Sequence, residues 1–194
     1  RTGQWSSGPM ALGRKVSGAR LGIVGLGRIG KAIAQRASGF GMSIAYTART
    51  EKADSGFKFF PSAAELAAHV DFLVVITPGG AGTKHLINAE VLKALGARGF
   101  LINVARGSVV DEQALIEALQ NGTIAGAGLD VFDNEPNVPE VLWGMTNVVL
   151  TPHMASATTE TRQAMADLAF ANMQAGTSGQ ALRTPVPECA ALLK

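Results

Sequence analysis

The fold of this 194-residue chain is decided by the stretch Leu21-Gly22-Ile23-Val24-Gly25-Leu26-Gly27-Arg28-Ile29-Gly30. An apolar strand runs into three glycines, and residues 28–38 then carry apolar side chains at helical spacing. Gly25 permits a tight turn, Gly27 lets a pyrophosphate approach the backbone, and Gly30 lets the helix pack on the strand. The stretch therefore predicts a dinucleotide-binding turn in which the contacts come from Gly25, Gly27, Arg28, Ile29 and Gly30.

Strands and helices alternate along the rest of the chain. Further strands are predicted at residues 42–46, 71–76, 100–104, 124–131 and 147–150. Helices are predicted to open at Ser62 with Glu65 as a capping box, and to span residues 88–95, 111–120 and 158–174. This alternation predicts an α/β fold of the Rossmann type, a doubly wound parallel sheet flanked by helices. We assign residues 1–16 to a connector, 17–175 to the dinucleotide-binding domain and 176–194 to a C-terminal segment.

Composition and charge exclude several classes of protein. Apolar residues make up 47% of the chain and charged residues 16%, which is typical of a packed core. The net charge of +2 argues against a nucleic-acid partner, and no apolar run approaches the roughly 20 residues of a membrane span. The single cysteine, Cys189, cannot form an internal disulfide, so we expect a cytoplasmic protein. We see no metal-ligand pattern.

The end of the second strand predicts which dinucleotide is bound. An NAD enzyme carries an acid there for the ribose 2′-hydroxyl, but this chain has Tyr46-Thr47-Ala48-Arg49-Thr50. A guanidinium can pair with a 2′-phosphate through two hydrogen bonds. We therefore expect NADP(H), held by Arg49 and Thr50 with Lys52 assisting, and NAD(H) as the alternative. Arg49 as a solvated arginine stacked on adenine is the competing interpretation.

Three polar residues follow successive strands, where ligands bind to open α/β sheets. They are Arg106, Glu135 and His153. Reduction of a 2-keto acid needs a cation for its carboxylate, a proton donor for its carbonyl oxygen, and a carboxylate that orients and stabilises that donor. Arginine, histidine and glutamate, in that order, suit these tasks.

In these motifs the chain resembles the D-isomer-specific 2-hydroxyacid dehydrogenases. The matching stretches are GLGRIG, NVARGSVVDEQAL, GLDVFDNEP and TPHMASAT, and the resemblance covers residues from about Arg20 to Pro187. It implies a catalytic triad of Arg106, Glu135 and His153, with Asp130 at the nicotinamide end of the cofactor. It also implies cofactor contacts from Thr77, Pro78, Val104, Ala105 and Ser156.

Within this family the chain is most similar to NADPH-dependent glyoxylate and hydroxypyruvate reductases. The resemblance implies a small 2-keto or 2-hydroxy acid as substrate and a homodimer in the intact enzyme. We expect Trp5 and Trp143 to lie at an interface or in the core. It also implies a substrate domain before the cofactor domain, which we expect to be absent from this chain because only 24 residues precede Gly25. We therefore expect a partial form that binds NADPH and has negligible turnover.

Other interpretations stay open from the sequence. One is a non-catalytic corepressor or scaffold that senses a dinucleotide, although such relatives bind NAD(H). Another is a different 2-hydroxyacid dehydrogenase, such as a phosphoglycerate or phosphite dehydrogenase. His69 and His85 lack a catalytic context, and we expect them to be structural or exposed.

Overall fold

The structure, a computed structural model, describes residue 8 and residues 12–186. Its strands form one parallel sheet in the order β3-β2-β1-β4-β5-β6-β7. Their bounds are β1 Arg20–Val24, β2 Ser43–Thr47, β3 Lys58–Phe59, β4 Phe72–Val75, β5 Phe100–Asn103, β6 Gly126–Leu129 and β7 Val148–Leu150. The predicted doubly wound parallel sheet is confirmed.

Helices connect the strands, and several of them begin at a residue whose side chain caps the helix N-terminus. They are α1 Arg28–Ser38, α2 Ala63–Ala67, α3 Ala89–Leu95, α4 Glu112–Gln120, α5 Glu140–Trp143 and α6 Thr159–Thr177. Ser62, Asn88, Asp111 and Thr158 each accept a hydrogen bond from the backbone of the helix that follows. The predicted capping box at Ser62 is present in a modified form, because its hydroxyl donates to the Glu65 carboxylate at 2.9 Å.

The core consists of two clusters of buried apolar side chains. One includes Leu66 of α2, Leu92 of α3 and Leu115 of α4. The other includes Ala34 of α1 together with strand residues such as Tyr46. The central strands are therefore apolar along nearly their whole length, as expected for a sheet covered by helices.

An ion pair joins the first residue of β1 to Asp71, the residue before β4, at the edge where these parallel strands begin. Asp71 is 8% exposed and accepts hydrogen bonds from the Arg20 backbone at 3.0 Å and from its guanidinium at 2.9 and 3.1 Å. Arg14 adds a fourth bond at 2.8 Å. The hydrogen bonds from Arg20 lower the pKa of Asp71 from 3.8 to about 2. This edge is opposite to the one where the strands end.

The structure divides into two compact units, residues 1–152 and residues 153–194. The first contains the whole sheet. The second contains α6, and its tail bonds back to the helix, since the Asn172 side chain accepts from the Arg183 backbone at 2.9 Å and donates to the Thr184 hydroxyl at 2.8 Å. The predicted domain limits at residues 17 and 175 stay predictions. Within the described part of the chain, no helix is both long and apolar enough to cross a membrane.

Two elements differ from the sequence-based expectation, which contained neither β3 nor α5. The strand β3 has two residues and forms the edge of the sheet, and α5 is a single turn. The predicted strand at 124–131 is shorter, because only residues 126–129 pair with β5. Most of the predicted connector, with Trp5, lies outside the described residues, and so do Pro187 and Cys189.

Candidate functional site

The glycine loop joins β1 to α1 at the edge where the parallel strands end. Gly25 has φ of 105°, and a Cβ there would meet the Thr77 backbone nitrogen at 2.9 Å. A Cβ at Gly30 would overlap the Gly25 carbonyl oxygen, whereas a Cβ at Gly27 would meet open space. The packing of the turn therefore requires glycine at positions 25 and 30, whereas Gly27 leaves space beside the backbone for a bound ligand.

The N-terminus of α1 is suited to an anion. Its first backbone N–H groups have no side-chain cap from Gly27, and its first turn carries no acid. Unbonded N–H groups and the positive end of the helix dipole together favour phosphate. Arg28 and Ile29 begin this helix, and Ile29 is 62% exposed.

The loop after β2, residues 48–52, lies beside the glycine loop. The Gly25 N–H donates to the Thr47 carbonyl at 2.9 Å, which joins the glycine loop to the end of β2, where residues 48–52 begin. Arg49 and Thr50 are exposed, and the Lys52 Nζ lies 3.4 Å from the Thr50 hydroxyl. The predicted residues thus form a basic loop with one acid, Glu51.

A cleft of about 820 Å³ opens at this edge of the sheet. It is lined by residues from the ends of α1, β4, β5 and β6, namely Ile29, Ile76, Thr77, Pro78, Gly79, Gly80, Val104, Ala105, Arg106, Gly107, Ser108, Phe132, Asp133 and Glu135. The structure therefore brings Ile29, Thr77, Pro78, Val104, Ala105, Arg106 and Glu135 from the sequence prediction to one cleft. Gly25, Gly27, Arg28, Gly30, Arg49, Thr50 and Asp130 do not line it.

The loop that carries Arg106 is held by a buried side chain. Asn103 is 1% exposed, accepts from the Ala105 N–H at 3.1 Å, and donates to the Arg106 carbonyl at 3.2 Å. The Arg106 guanidinium donates to the Ala105 carbonyl at 2.6 Å. Gly79 leaves room for the aliphatic part of Arg106, because a Cβ there would lie 3.0 Å from the Arg106 Cγ.

The loops that carry Arg106 and Glu135 touch through their backbones. A Cβ at Gly107 would overlap the peptide between Phe132 and Asp133. Glu135 in turn accepts from the Phe132 N–H at 3.0 Å. The guanidinium and the carboxylate are therefore fixed on two loops that are in direct contact.

Asp130 directly follows β6 at the same edge. It is 6% exposed and accepts a hydrogen bond from the Thr151 hydroxyl at 2.6 Å. A nearly buried carboxylate with a short hydrogen bond has a fixed orientation. Its predicted contact with the cofactor stays a prediction.

His153 and Ser156 belong to the second compact unit. His153 is exposed and has φ of 49°, a backbone conformation that is uncommon for a residue with a side chain. Such conformations concentrate at functional sites. The catalytic role of His153 and the cofactor contact of Ser156 stay predictions.

The sequence-based site omitted several residues of the cleft wall. Gly79, Gly80, Gly107, Ser108, Phe132 and Asp133 were not selected, although each is a near neighbour of a selected residue. Glycines beside Arg106 were the available signal, because a loop that approaches another backbone closely needs them. His69 bonds to the Glu65 carbonyl at 2.7 Å, and His85 lies 4.0 Å from Asp111. In the part of the chain that the structure describes, no three His, Cys, Asp or Glu side chains form a metal-binding group.

The chain is similar in sequence to a known protein family and to several of its members. Residues 1–155 match the family model described as the NAD-binding domain of D-isomer specific 2-hydroxyacid dehydrogenases. The chain is 52% identical over 186 residues to a glyoxylate/hydroxypyruvate reductase of Arabidopsis thaliana, covering 96% of this chain and 59% of that protein. It is 46% identical to a 2-ketogluconate reductase of Gluconobacter oxydans, covering 96% of this chain and 60% of that protein.

A solved structure is similar in fold and in sequence. It is the NADPH-dependent glyoxylate/hydroxypyruvate reductase of Sinorhizobium meliloti in complex with NADP and malonate, with a TM-score of 0.85 and 57% sequence identity. The match covers 88% of this chain and 54% of that one. The chain thus spans less than two thirds of the length of these relatives.

Proposed function

We propose, since the chain belongs to the D-isomer-specific 2-hydroxyacid dehydrogenase family, that it is the cofactor-binding part of an oxidoreductase. The reaction is hydride transfer between NADP(H) and a short 2-keto or 2-hydroxy acid, with glyoxylate and hydroxypyruvate as the first candidates. The observation that carries this proposal is the cleft, where Arg106 and Glu135 lie with Ile29, which belongs to the first turn of α1 after the glycine loop. A dinucleotide on that loop would therefore reach the side chains that suit the chemistry.

The residues present fit a dinucleotide. The uncapped N-terminus of α1 offers N–H groups to a pyrophosphate. Gly27 has no side chain, and the space beside its backbone is open, so a pyrophosphate can approach closely. The cleft volume of about 820 Å³ is within the range of small-molecule sites. When bound, the nicotinamide supplies the hydride.

A preference for NADP(H) is supported by the loop after β2. Arg49 and Thr50 are exposed there, and the Lys52 ammonium lies beside the Thr50 hydroxyl. A 2′-phosphate carries negative charge that these groups can pair with, while NAD(H) offers only a hydroxyl. NADP was also bound in the Sinorhizobium meliloti relative.

The protein side chains bind and orient the substrate and move one proton. We assign Arg106 to the substrate carboxylate, because a guanidinium binds a carboxylate through two parallel hydrogen bonds. We assign His153 to donate a proton to the carbonyl oxygen during reduction, because an imidazolium N–H can act as a general acid. Glu135 stabilises the protonated imidazole. The assignments of Glu135 and His153 rest on the sequence motifs and on the chemistry that reduction requires.

The assembly and the compartment complete the proposal. We propose that the intact enzyme is a homodimer in the cytoplasm, supported by the family resemblance and by a sequence with one cysteine. Size-exclusion chromatography with light scattering measures the assembly, and a mass of one chain would contradict the dimer.

The proposed function is tested by cofactor binding and by turnover. We expect calorimetry to give a lower Kd for NADPH than for NADH. Arg49→Ala should raise the Kd for NADPH about tenfold or more, which corresponds to losing a charge-assisted pair, and should leave NADH within about twofold. Arg98→Ala is the matched control, because Arg98 is exposed before β5, at the other edge of the sheet. Equal losses for both cofactors would contradict the NADP(H) assignment.

Turnover is measured in the intact protein, with glyoxylate, hydroxypyruvate and longer 2-keto acids compared. His153→Asn should lower kcat by about 10²–10⁴, because it removes the proton donor, while NADPH binding stays unchanged. Cofactor binding without oxidation of NADPH by any 2-keto acid would instead favour the dinucleotide-sensing alternative.

A further inference from the structure

The hydroxyl of Tyr46 closes the loop on which the proposed NADP(H) preference depends. Tyr46 lies on β2, is 0% exposed, and packs its ring against Phe59 with centroids 5.5 Å apart. Its hydroxyl accepts a hydrogen bond from the Lys52 backbone N–H at 2.6 Å. We propose that Tyr46 is a positioning residue, whose hydroxyl holds residues 48–52 in the shape that binds the 2′-phosphate. The inference rests on the proposed function and goes beyond it by naming what sets the cofactor preference.

This loop is anchored at both of its ends. At its start, the Thr47 carbonyl accepts from the Gly25 N–H at 2.9 Å, which ties β2 to the glycine loop. At its end, the Tyr46 hydroxyl holds Lys52, immediately before the short helical turn Ala53–Ser55. Because both anchors belong to the buried sheet, the core sets the position of the five loop residues, of which all but Ala48 are exposed.

The charges in the loop make its shape matter. Arg49 and Lys52 are cations, but Glu51 stands between them and would repel a phosphate. The Lys52 ammonium lies 3.4 Å from the Thr50 hydroxyl, so two groups suited to a phosphate already converge. A released Lys52 backbone would let these side chains and the Glu51 carboxylate exchange places.

Another basic residue near the loop is already paired with an acid. Lys31 of α1 lies 3.7 Å from Asp54, which follows Lys52 by two residues. Lys31 thus tends to neutralise an acid of the neighbouring turn. The attraction for a 2′-phosphate therefore depends on Arg49, Thr50 and Lys52, whose arrangement Tyr46 controls.

A purely structural role for Tyr46 makes a different prediction. A buried tyrosine needs a hydrogen-bond partner for its hydroxyl, and Lys52 could be no more than that partner. Removing the hydroxyl would then lower stability and weaken both dinucleotides alike, or neither. Selectivity between ligands that differ only in the 2′-phosphate separates the two roles.

The test compares Tyr46→Phe with a matched control, Phe59→Leu. The first removes the hydroxyl and keeps the ring, and the second removes the ring contact and keeps the hydroxyl bond. Calorimetry measures binding of NADPH, NADH, adenosine 2′,5′-bisphosphate and adenosine 5′-monophosphate, and thermal unfolding is measured alongside. For Tyr46→Phe we expect the Kd of both 2′-phosphorylated ligands to rise about fivefold and the other two to change less than about twofold. For Phe59→Leu we expect a lower Tm with an unchanged NADPH to NADH ratio.

Other results would contradict either the role of Tyr46 or the NADP(H) assignment, and the measurements distinguish the two. If the unmodified protein prefers NADPH but Tyr46→Phe keeps that ratio, the inference is wrong and the proposed function stands. If the unmodified protein binds NADPH and NADH equally, the NADP(H) assignment is wrong and the inference falls with it. In an Arg49→Ala background the effect of Tyr46→Phe should shrink, and an undiminished effect would show that Tyr46 does not act through this loop.

Discussion

The ion pair of Asp71 with Arg20 makes the stability of this protein depend on acid in a specific way. The pKa of Asp71 is lowered to about 2 in the folded protein, against 3.8 in an unfolded chain, because Arg20 bonds to both carboxylate oxygens. Between these values the unfolded state binds more protons than the folded state. The stabilisation is therefore fully present above about pH 4 and is lost as the pH falls through about 2.

The magnitude follows from the same numbers. A drop from 3.8 to about 2 corresponds to about 2.4 kcal/mol, at about 1.36 kcal/mol per pH unit. The side chain of Arg20 is 52% exposed, so solvent screening reduces this figure, and we expect about 1–2 kcal/mol. Asp71→Asn should lower the free energy of unfolding by that amount at pH 7, and the difference from the unmodified protein should shrink as the pH falls below 4.

Urea denaturation between pH 7 and pH 2.5 measures this difference. The matched control is Asp54→Asn, because the Asp54 side chain is 79% exposed and lies 3.7 Å from Lys31. Its effect should stay within about 0.5 kcal/mol at every pH. The reasoning is refuted if Asp71→Asn is as stable as the unmodified protein at pH 7, or if the difference persists undiminished at pH 2.5.

Two further predictions concern the site itself. Gly30→Ala should destabilise the protein by about 1–3 kcal/mol, because the added Cβ overlaps the Gly25 carbonyl. Gly27→Ala should leave Tm unchanged and raise the Kd for NADPH about tenfold or more, because its Cβ enters the space open to the pyrophosphate. Thermal unfolding and calorimetry measure both, and a stable, NADPH-binding Gly30→Ala would contradict the packing argument. Asn103→Ala should cost about 1–3 kcal/mol of stability, because it removes two hydrogen bonds from the loop that carries Arg106. In the intact form of the proposed reductase it should also raise KM for the keto acid, and an unchanged KM would show that Arg106 does not depend on Asn103.

Much of the fold could be predicted because its strands are short apolar runs bounded by glycines and caps. The helix α1 was predicted at its observed residues, and Asp111 caps α4 as expected. Neither β3 nor α5 shows a usable pattern, since two residues and one turn are too short for periodicity. The strand β3 exists because it pairs with β2 across the sheet, which is a tertiary effect.

The site was predictable where a motif names a residue, and less so where packing does. Arg106 and Glu135 share a cleft, as expected from their places after successive strands. Tyr46 and Asn103 are different, because their importance lies in hydrogen bonds to backbone groups that the sequence does not reveal. Asp71 was assigned to a strand, but its ionic partner Arg20 is 51 residues away along the chain.

The close contact at Gly107 has a consequence for how the cleft can change over evolution. A side chain at this position would overlap the Phe132–Asp133 peptide, so the loops with Arg106 and Glu135 pack directly against each other. Lengthening or redirecting either loop alone would break this backbone contact, so we expect the sequences of the two loops to change together or not at all. For the proposed reductase, new substrate preferences would then arise from parts of the protein outside these two loops, while Arg106 and Glu135 keep their positions.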